Sequence, residues 1–300
     1  MGTNLTVAGT LLADHFSSIE SCARSDPASS LLQVNRFLAS RARTFLNRAG
    51  GRAFADETSI EHADLLWLSV SEPIDTLACI KATEAASLAN PLEHPSIAFV
   101  AIDDRLALVA VPSGTVHFST RPFPHTGLPR LSLRELTLEL DMGKFCLDVQ
   151  LGPGAGKELF FQITAERWLL LSAVILGVAQ AAFNYVLDYA RKRMAFGKAI
   201  AHHQAVALKL ADTLIAIESS RLLCQEVCVS GDRGAEIFYQ VRGIWRYINE
   251  TVKMAPDIIQ VMGGHGYLQD HPVQQWFCDL QLLSLLGEFS DSFAGFLHGN

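Results

Sequence analysis

Charge is scarce in this chain of 300 residues: 18% is charged against 49% hydrophobic, and the formal net charge is −7. A nucleic-acid partner requires a basic face, so this balance argues against one. No like-charge block is long enough to read as a tail. Cysteines stand only at 22, 79, 146, 224, 228 and 278, with no Cys-x-x-Cys and no regular framework. Buried, reduced thiols in a reducing, cytoplasmic compartment are expected. No basic leader or cleavage pattern stands at the start, so no signal peptide is read. The longest apolar run, Trp168 to Phe183, carries Ser172 and Gln180, and it falls short of the ~20 residues that cross a bilayer. The centre of a helical bundle is expected there rather than a membrane span.

Several chemical signatures are also missing. No Gly-x-Gly-x-x-Gly follows a strand, and no Gly-x-Ser-x-Gly elbow is present. "GPGAGKE", Gly152 to Glu158, fails as a phosphate loop. Its glycine spacing is one short, and Glu158 stands where a metal-binding hydroxyl is needed. His202 and His203 are adjacent, so on a helix they point about 100° apart. His265 and His271 lack a carboxylate at ligand spacing. No metal site is expected.

What is present divides the chain into three textures. Residues 1–58 read as a short helical region, stopped by Gly50-Gly51. Residues 59–152 carry short β-branched or alternating runs, "SIAFVAI", "RLALVAV", "TVHFST" and "LSLRELTLELDM", between Gly, Pro and Asp clusters. Residues 153–300 return to long helices, expected near 157–193, 202–229, 233–261 and 272–286. The fold class expected is therefore α+β by segregation: an N-terminal helical segment, a small antiparallel β domain and a C-terminal four-helix bundle.

One stretch stands out, "RKRMAFGKAIAHHQ", Arg191 to Gln204. Cations at a helix C-terminus are favourable by ~0.3–1 kcal/mol each, which accounts for one or two charges but not for Phe196, Gly197, Lys198 and Gln204. Downstream, "QVMGGHGY", Gln260 to Tyr267, ends another helix in bare glycines that permit close backbone approach. Together a cationic and a glycine-rich helix end can hold a pyrophosphate.

These segments resemble a known family. "RKRMAFGKAIAHHQAVALKLAD" (191–212) is similar to the R-x-x-F-G-K signature of the acyl-CoA dehydrogenases, "QVMGGHGYLQDHPVQQWFCDLQLL" (260–283) to their Q-x-x-G-G-x-G segment, and Gly177 to Gly197 to their central helix. "SVSEPIDTLACIKATEA" (69–85) loosely resembles their flavin loop without its Gly-Ala-Gly-Ser portion. The resemblance implies the same three-part fold, FAD, an acyl-CoA or acyl-carrier thioester, and an oligomer. It implies that Arg193, Phe196 and Gln204 hold the ADP part of a neighbouring chain's flavin. Gln260, Gly263 and Gly264 would line its adenosine-pyrophosphate end, and Ser71 would stand near the isoalloxazine.

The family removes an α proton with a carboxylate while hydride leaves for flavin. In many members the carboxylate lies eight residues after an Asp, a count that runs from Asp279 to Gly287 in "LLGEFSD". Glu288 is one place later and is the candidate catalytic base of this chain. Glu166, beside Arg167 in what reads as a solvated first-turn pair, is a second candidate position. With glycine at the base position and a short N-terminal region, the chain resembles the inactive subunits of bacterial dehydrogenases acting on steroid side-chain thioesters. The resemblance thus implies a reduced-size, base-lacking partner in a heteromeric flavoprotein oxidoreductase. Two alternatives remain open: a self-sufficient homo-oligomeric dehydrogenase using Glu288, and a flavin-free repurposed protein on the same fold.

Overall fold

One helix, α3 (Ala155–Lys192), forms the axis of the molecule. Its 38 residues run about 57 Å at 1.5 Å per residue. The computed structural model describes residues 11–48, 64–73, 79–87, 96–102, 105–111, 117–122, 124–131, 133–141, 155–233 and 236–297. For nearly all strand residues, and for 43, 45–48, 155–158 and 288–297, it describes the backbone alone.

Six helices pack on α3: α1 (Leu12–Ala23), α2 (Pro27–Arg48), α4 (Gln204–Asp232), α5 (Phe238–Val252), α6 (Ala255–Met262) and α7 (Val273–Leu297). Contact on every side explains why Trp168 to Val178 can be almost wholly apolar. By length and composition α3 is long enough to cross a membrane, and 78% of its most apolar window is buried by these neighbours. Gly177 lets α1 approach: a Cβ there would fall 2.4 Å from the Glu20 carbonyl oxygen.

The expected helix over 233–261 is two helices. α5 ends at Val252 and α6 begins at Ala255, because Pro256 in the first turn of α6 has no N–H to continue the ladder. The other long helices lie where the periodicity put them, with α7 running on to Leu297.

The N-terminal helices are fastened to the bundle by buried polar groups. Glu20, 4% exposed, accepts from Arg221 Nε at 2.9 Å and Arg24 Nη2 at 3.2 Å. Arg221 Nη2 also donates to Gln180 on α3 at 2.8 Å. Asp232, the last residue of α4, accepts from the amides of Leu12 and Ala13 at 2.7 and 3.2 Å, so one helix caps the start of another.

Between α2 and α3 lies a six-stranded sheet: β1 (Asp64–Pro73), β2 (Cys79–Ser87), β3 (Ser96–Ile102), β4 (Arg105–Val111), β5 (His117–Pro122) and β6 (Arg134–Asp141), in the order β4-β3-β1-β2-β6-β5. Four pairings are antiparallel; β1 with β3 is parallel, Asp64 opposite Ser96 through Ser69 opposite Ala101. The β2 strand separates these two in sequence and pairs on the other side of β1. The architecture is the one expected, helical segment, small sheet and helical bundle, with the parallel pair added.

Candidate functional site

The basic corner folds as a hairpin. After α3 ends, the Arg193 amide donates to Tyr189 O at 2.9 Å. Two short strands, β7 (Met194–Ala195) and β8 (Lys198–Ala199), then pair across Phe196-Gly197. Both turn residues have positive φ, 50° and 81°, as a two-residue type I′ turn requires. Glycine enters that region freely and phenylalanine does not. Phe196 nevertheless occupies it with its ring 97% exposed. The fold gains no burial from this placement, so the strain points to a contact outside the chain's own core. Hydrogen bonds hold the turn: Ile200 N–H donates to Arg193 O at 2.8 Å and Lys198 Nζ to His202 O at 2.9 Å. Arg191, Lys192 and Arg193 are all exposed.

The glycine-rich end is built differently. α6 stops at Gly263, whose φ is 58°, and a 3-10 turn, Gly263–Tyr267, follows. A Cβ at Gly263 or Gly264 would meet nothing within 4 Å. Packing does not require glycine at 264; what its absence of a side chain provides is bare, approachable backbone. Gln260 is exposed one turn before it.

The two ends adjoin. Tyr189, one turn before Arg193, has its ring centroid 6.0 Å from that of His265, with a 3.4 Å hydroxyl-to-Nδ1 contact. Tyr185 and His271 share a 2.8 Å hydrogen bond, the two histidine rings are 5.7 Å apart, and Trp276 packs edge-on to Tyr185. Gln204 opens α4, exposed, directly after the hairpin. An ion pair between Lys209 and Asp257 ties the start of α4 to α6. Arg193, Phe196, Gln204, Gln260, Gly263 and Gly264 therefore share one end of the bundle. The ring cluster that joins the two ends was not legible in the sequence, because its hydrogen-bonded partners lie 76 and 86 residues apart.

Ser71 lies elsewhere, in β1. The β1–β2 register shifts between Val70 and Glu72, making Ser71 the extra residue of an irregularity in the ladder. Such bulges recur beside functional sites. The Ser71 side chain is outside the described residues.

The position that the resemblance marks for the base, Gly287, is packed shut. α7 is continuously helical from Val273 to Leu297, so no bulge shifts the register at "LLGEFSD". Gly287 is buried, and a Cβ on it would fall 1.8 Å from Trp245 Cζ2. The indole N–H of Trp168, itself fully buried, donates to Gly287 O at 3.0 Å. Phe238 stacks on both Trp168 and Phe161. Aromatic rings thus fill the space against Gly287. Glu288 lies about 100° around the helix from it, and its side chain is outside the described residues.

Glu166 is not a solvated first-turn residue. It lies well inside α3, 2% exposed, and is gripped by Arg41 from α2 through Nε at 3.0 Å and Nη2 at 2.5 Å. Gln162 donates to it as well, at 3.2 Å. Its carboxylate oxygens are thus taken up by Arg41 and Gln162. Asp279, where the base count starts, is structural. Buried, it accepts from Leu128 N–H at 2.6 Å and Gln275 Nε2 at 2.7 Å. Burial pushes its carboxyl above the usual range, and the two hydrogen bonds partly offset this.

Comparison with known proteins agrees with the bundle and corner described above. Residues 161–287 match the acyl-CoA dehydrogenase C-terminal domain. Over these residues the chain is similar to the acyl-CoA dehydrogenase family. It is 32% identical over 116 residues to an acyl-CoA dehydrogenase of Bacillus subtilis, covering 38% of this chain and 31% of that one. It is 29% identical over 168 residues to a 3-sulfinopropanoyl-CoA desulfinase of Paraburkholderia xenovorans, covering 53% and 43% respectively. The chain therefore aligns with less than half the length of these relatives. Its fold follows butyryl-CoA dehydrogenase from Megasphaera elsdenii with a TM-score of 0.74, at 16% identity, over 97% of this chain and 82% of that one. It also follows PigA with FAD and proline, with a TM-score of 0.76, at 16% identity, over 98% and 85%. Within this acyl-CoA dehydrogenase-like chain the exposed cations, the strained outward Phe196 and the open backbone at Gly263-Gly264 fit a dinucleotide such as FAD. The space against Gly287 does not fit a carboxylate base.

Proposed function

We propose that this chain is the base-lacking partner of a heteromeric, FAD-dependent acyl-CoA dehydrogenase acting on a bulky CoA thioester. The carrying observation is Gly287, pinned between Trp168 and Trp245 at the position where a base would stand. When bound, FAD supplies the hydride acceptor. The residues of this chain contribute positioning. Arg193 and the cations beside it neutralise diphosphate charge, Phe196 offers a ring to the nucleotide, and Gln204 and Gln260 offer hydrogen bonds. The backbone at Gly263-Gly264 allows close approach. In this reading the flavin belongs to a second acyl-CoA dehydrogenase-like chain, which also carries the carboxylate that removes the α proton.

The test compares the purified chain with the chain co-expressed beside such a partner. Alone, supplied with FAD and an acyl-CoA, the chain should leave the flavin absorbance band unbleached. In the complex, Arg193→Ala should lower flavin retention at least about tenfold, since a charge-assisted contact to phosphate is worth ~1.5–3 kcal/mol. Glu288→Gln in the complex should leave turnover unchanged. Flavin reduction by the chain alone, abolished by Glu288→Gln, would instead establish the self-sufficient enzyme.

A further inference from the structure

The tyrosine and histidine rings between the two helix ends have no task in the site as described. His265 stands among three glycines that are glycine for different reasons. A Cβ at Gly263 or Gly264 would meet nothing within 4 Å, whereas one at Gly266 would fall 2.6 Å from Ile259 O. Gly266 is buried. Its missing side chain lets the turn Gly263–Tyr267 pack on α6, and that contact fixes the backbone one residue from His265. His265 itself is exposed.

The imidazole of His265 turns toward the end of α3. Its ring centroid is 6.0 Å from that of Tyr189 and 5.7 Å from that of His271. The Tyr189 hydroxyl lies 3.4 Å from Nδ1, and no described residue bonds to Nε2. A hydroxyl that donates to Nδ1 leaves the proton of the neutral ring on Nε2. That nitrogen is then a donor without a partner, beside the open backbone of Gly264 and at the same end of the bundle as Arg193. His271 is held in the same manner, with the Tyr185 hydroxyl 2.8 Å from its Nδ1.

We infer that His265 is a phosphate ligand that takes up a proton from water as the dinucleotide binds, with Tyr189 and His271 as the positioning residues that hold its ring. The inference rests on the reading of this end of the bundle as a diphosphate site. Protonation makes both nitrogens of an imidazole donors, and a hydrogen bond from an ionised donor to phosphate is about twice as strong as a neutral one. Imidazole changes its charge between about pH 5 and pH 8. The groups around the pair favour the neutral ring while the site is empty. Tyr189 from α3 and His271 from the loop before α7 face His265, and a second imidazolium beside the first is disfavoured. Asp188 is taken by Lys192 on α3, and Asp257 of α6 by Lys209 of α4. Arg191 and Arg193 are exposed and make no ion pair with a described residue; exposed Asp270, next to His271, opposes them. The unpaired charge at this end is thus mainly positive, and a bound diphosphate reverses the balance in favour of the charged ring.

Titration of the full chain with FAD, followed by flavin fluorescence, tests it. The diphosphate of FAD is esterified at both ends, so its own charge is constant over the range used, and riboflavin is the control that lacks it. Affinity for FAD should fall about tenfold between about pH 6 and pH 8, with no such fall for riboflavin. His265→Gln should remove the pH dependence and leave affinity at its alkaline level. His265→Lys, a fixed cation, should hold affinity near its acid level throughout. Arg193→Ala should weaken binding equally at every pH and keep the slope. Calorimetry in two buffers of different ionisation enthalpy should show proton uptake with FAD by the wild type and none by His265→Gln. Two results overturn the inference and leave the diphosphate reading standing: binding that Arg193→Ala weakens but pH does not change, and a pH dependence that survives in both His265 variants. No FAD binding at any pH overturns both.

Discussion

Two tryptophans pack against Gly287, and they differ in one atom's environment. Trp168 donates its indole N–H to Gly287 O, whereas Trp245 Nε1 is buried with no partner among the described residues. A buried donor left unsatisfied costs ~1–3 kcal/mol, and a made hydrogen bond contributes ~1 kcal/mol. Trp245→Phe should therefore leave the unfolding free energy unchanged or raise it, while Trp168→Phe should lower it by about 1 kcal/mol; urea melts of the two variants distinguish these outcomes. Gly287→Ala puts its methyl into the Trp245 ring and should cost about 1–3 kcal/mol through overpacking. His15 makes stability depend on pH. Burial, and secondarily the Arg41 guanidinium, hold its pKa below the ordinary 6.5. The folded state thus binds this proton less readily than the unfolded chain does. Stability from this group is present above about pH 6.5 and is lost as pH falls through the lower folded value. Stability measured on both sides of that point should drop toward acid, and His15→Phe should flatten the drop.

At the scale of elements, helices in this chain stabilise one another through their ends. The α1 start has no capping side chain of its own and uses the α4 carboxylate of Asp232. Asp232→Ala should cost about 1 kcal/mol, and hydrogen exchange should quicken first at the amides of Leu12 and Ala13. Faster exchange spread evenly over the bundle would mean that the cap is not local. The Arg41–Glu166 pair joins α2 to α3 in the same manner, but inside the core. Arg41→Ala strands a buried carboxylate and should cost about 3–5 kcal/mol, read as a lower denaturation midpoint. Glu166→Gln should cost less, since the amide keeps its hydrogen bonding without an uncompensated charge.

At the scale of the whole molecule, the buried Glu20–Arg221–Gln180 network makes the N-terminal helices part of the bundle's cooperative unit. Tryptophan fluorescence and far-ultraviolet circular dichroism should report coincident melting of the helical part; a separate early transition for the N-terminal helices would contradict this. The Cys224 thiol, pushed up to about 12 by burial, and the still more strongly raised Cys228 should resist thiol reagents until that melting, whereas the half-buried Cys22 and Cys278 react earlier. Reactivity at Cys224 in the native protein would show the α3–α4 seam to be open.

Apolar periodicity in the sequence determined the order of helices, sheet and bundle, because burial on one face leaves a repeat that can be counted along a chain. It also marked the two helix ends with glycines and cations, residue types that local backbone and charge require. Only the tertiary structure decided the rest. It paired β1 with β3 in parallel, turned Glu166 from a solvated residue into the buried partner of Arg41, and set Trp245 against Gly287. Contacts between residues 42 or 125 positions apart leave no local pattern, so their geometry exists only once α3 has drawn the distant helices together.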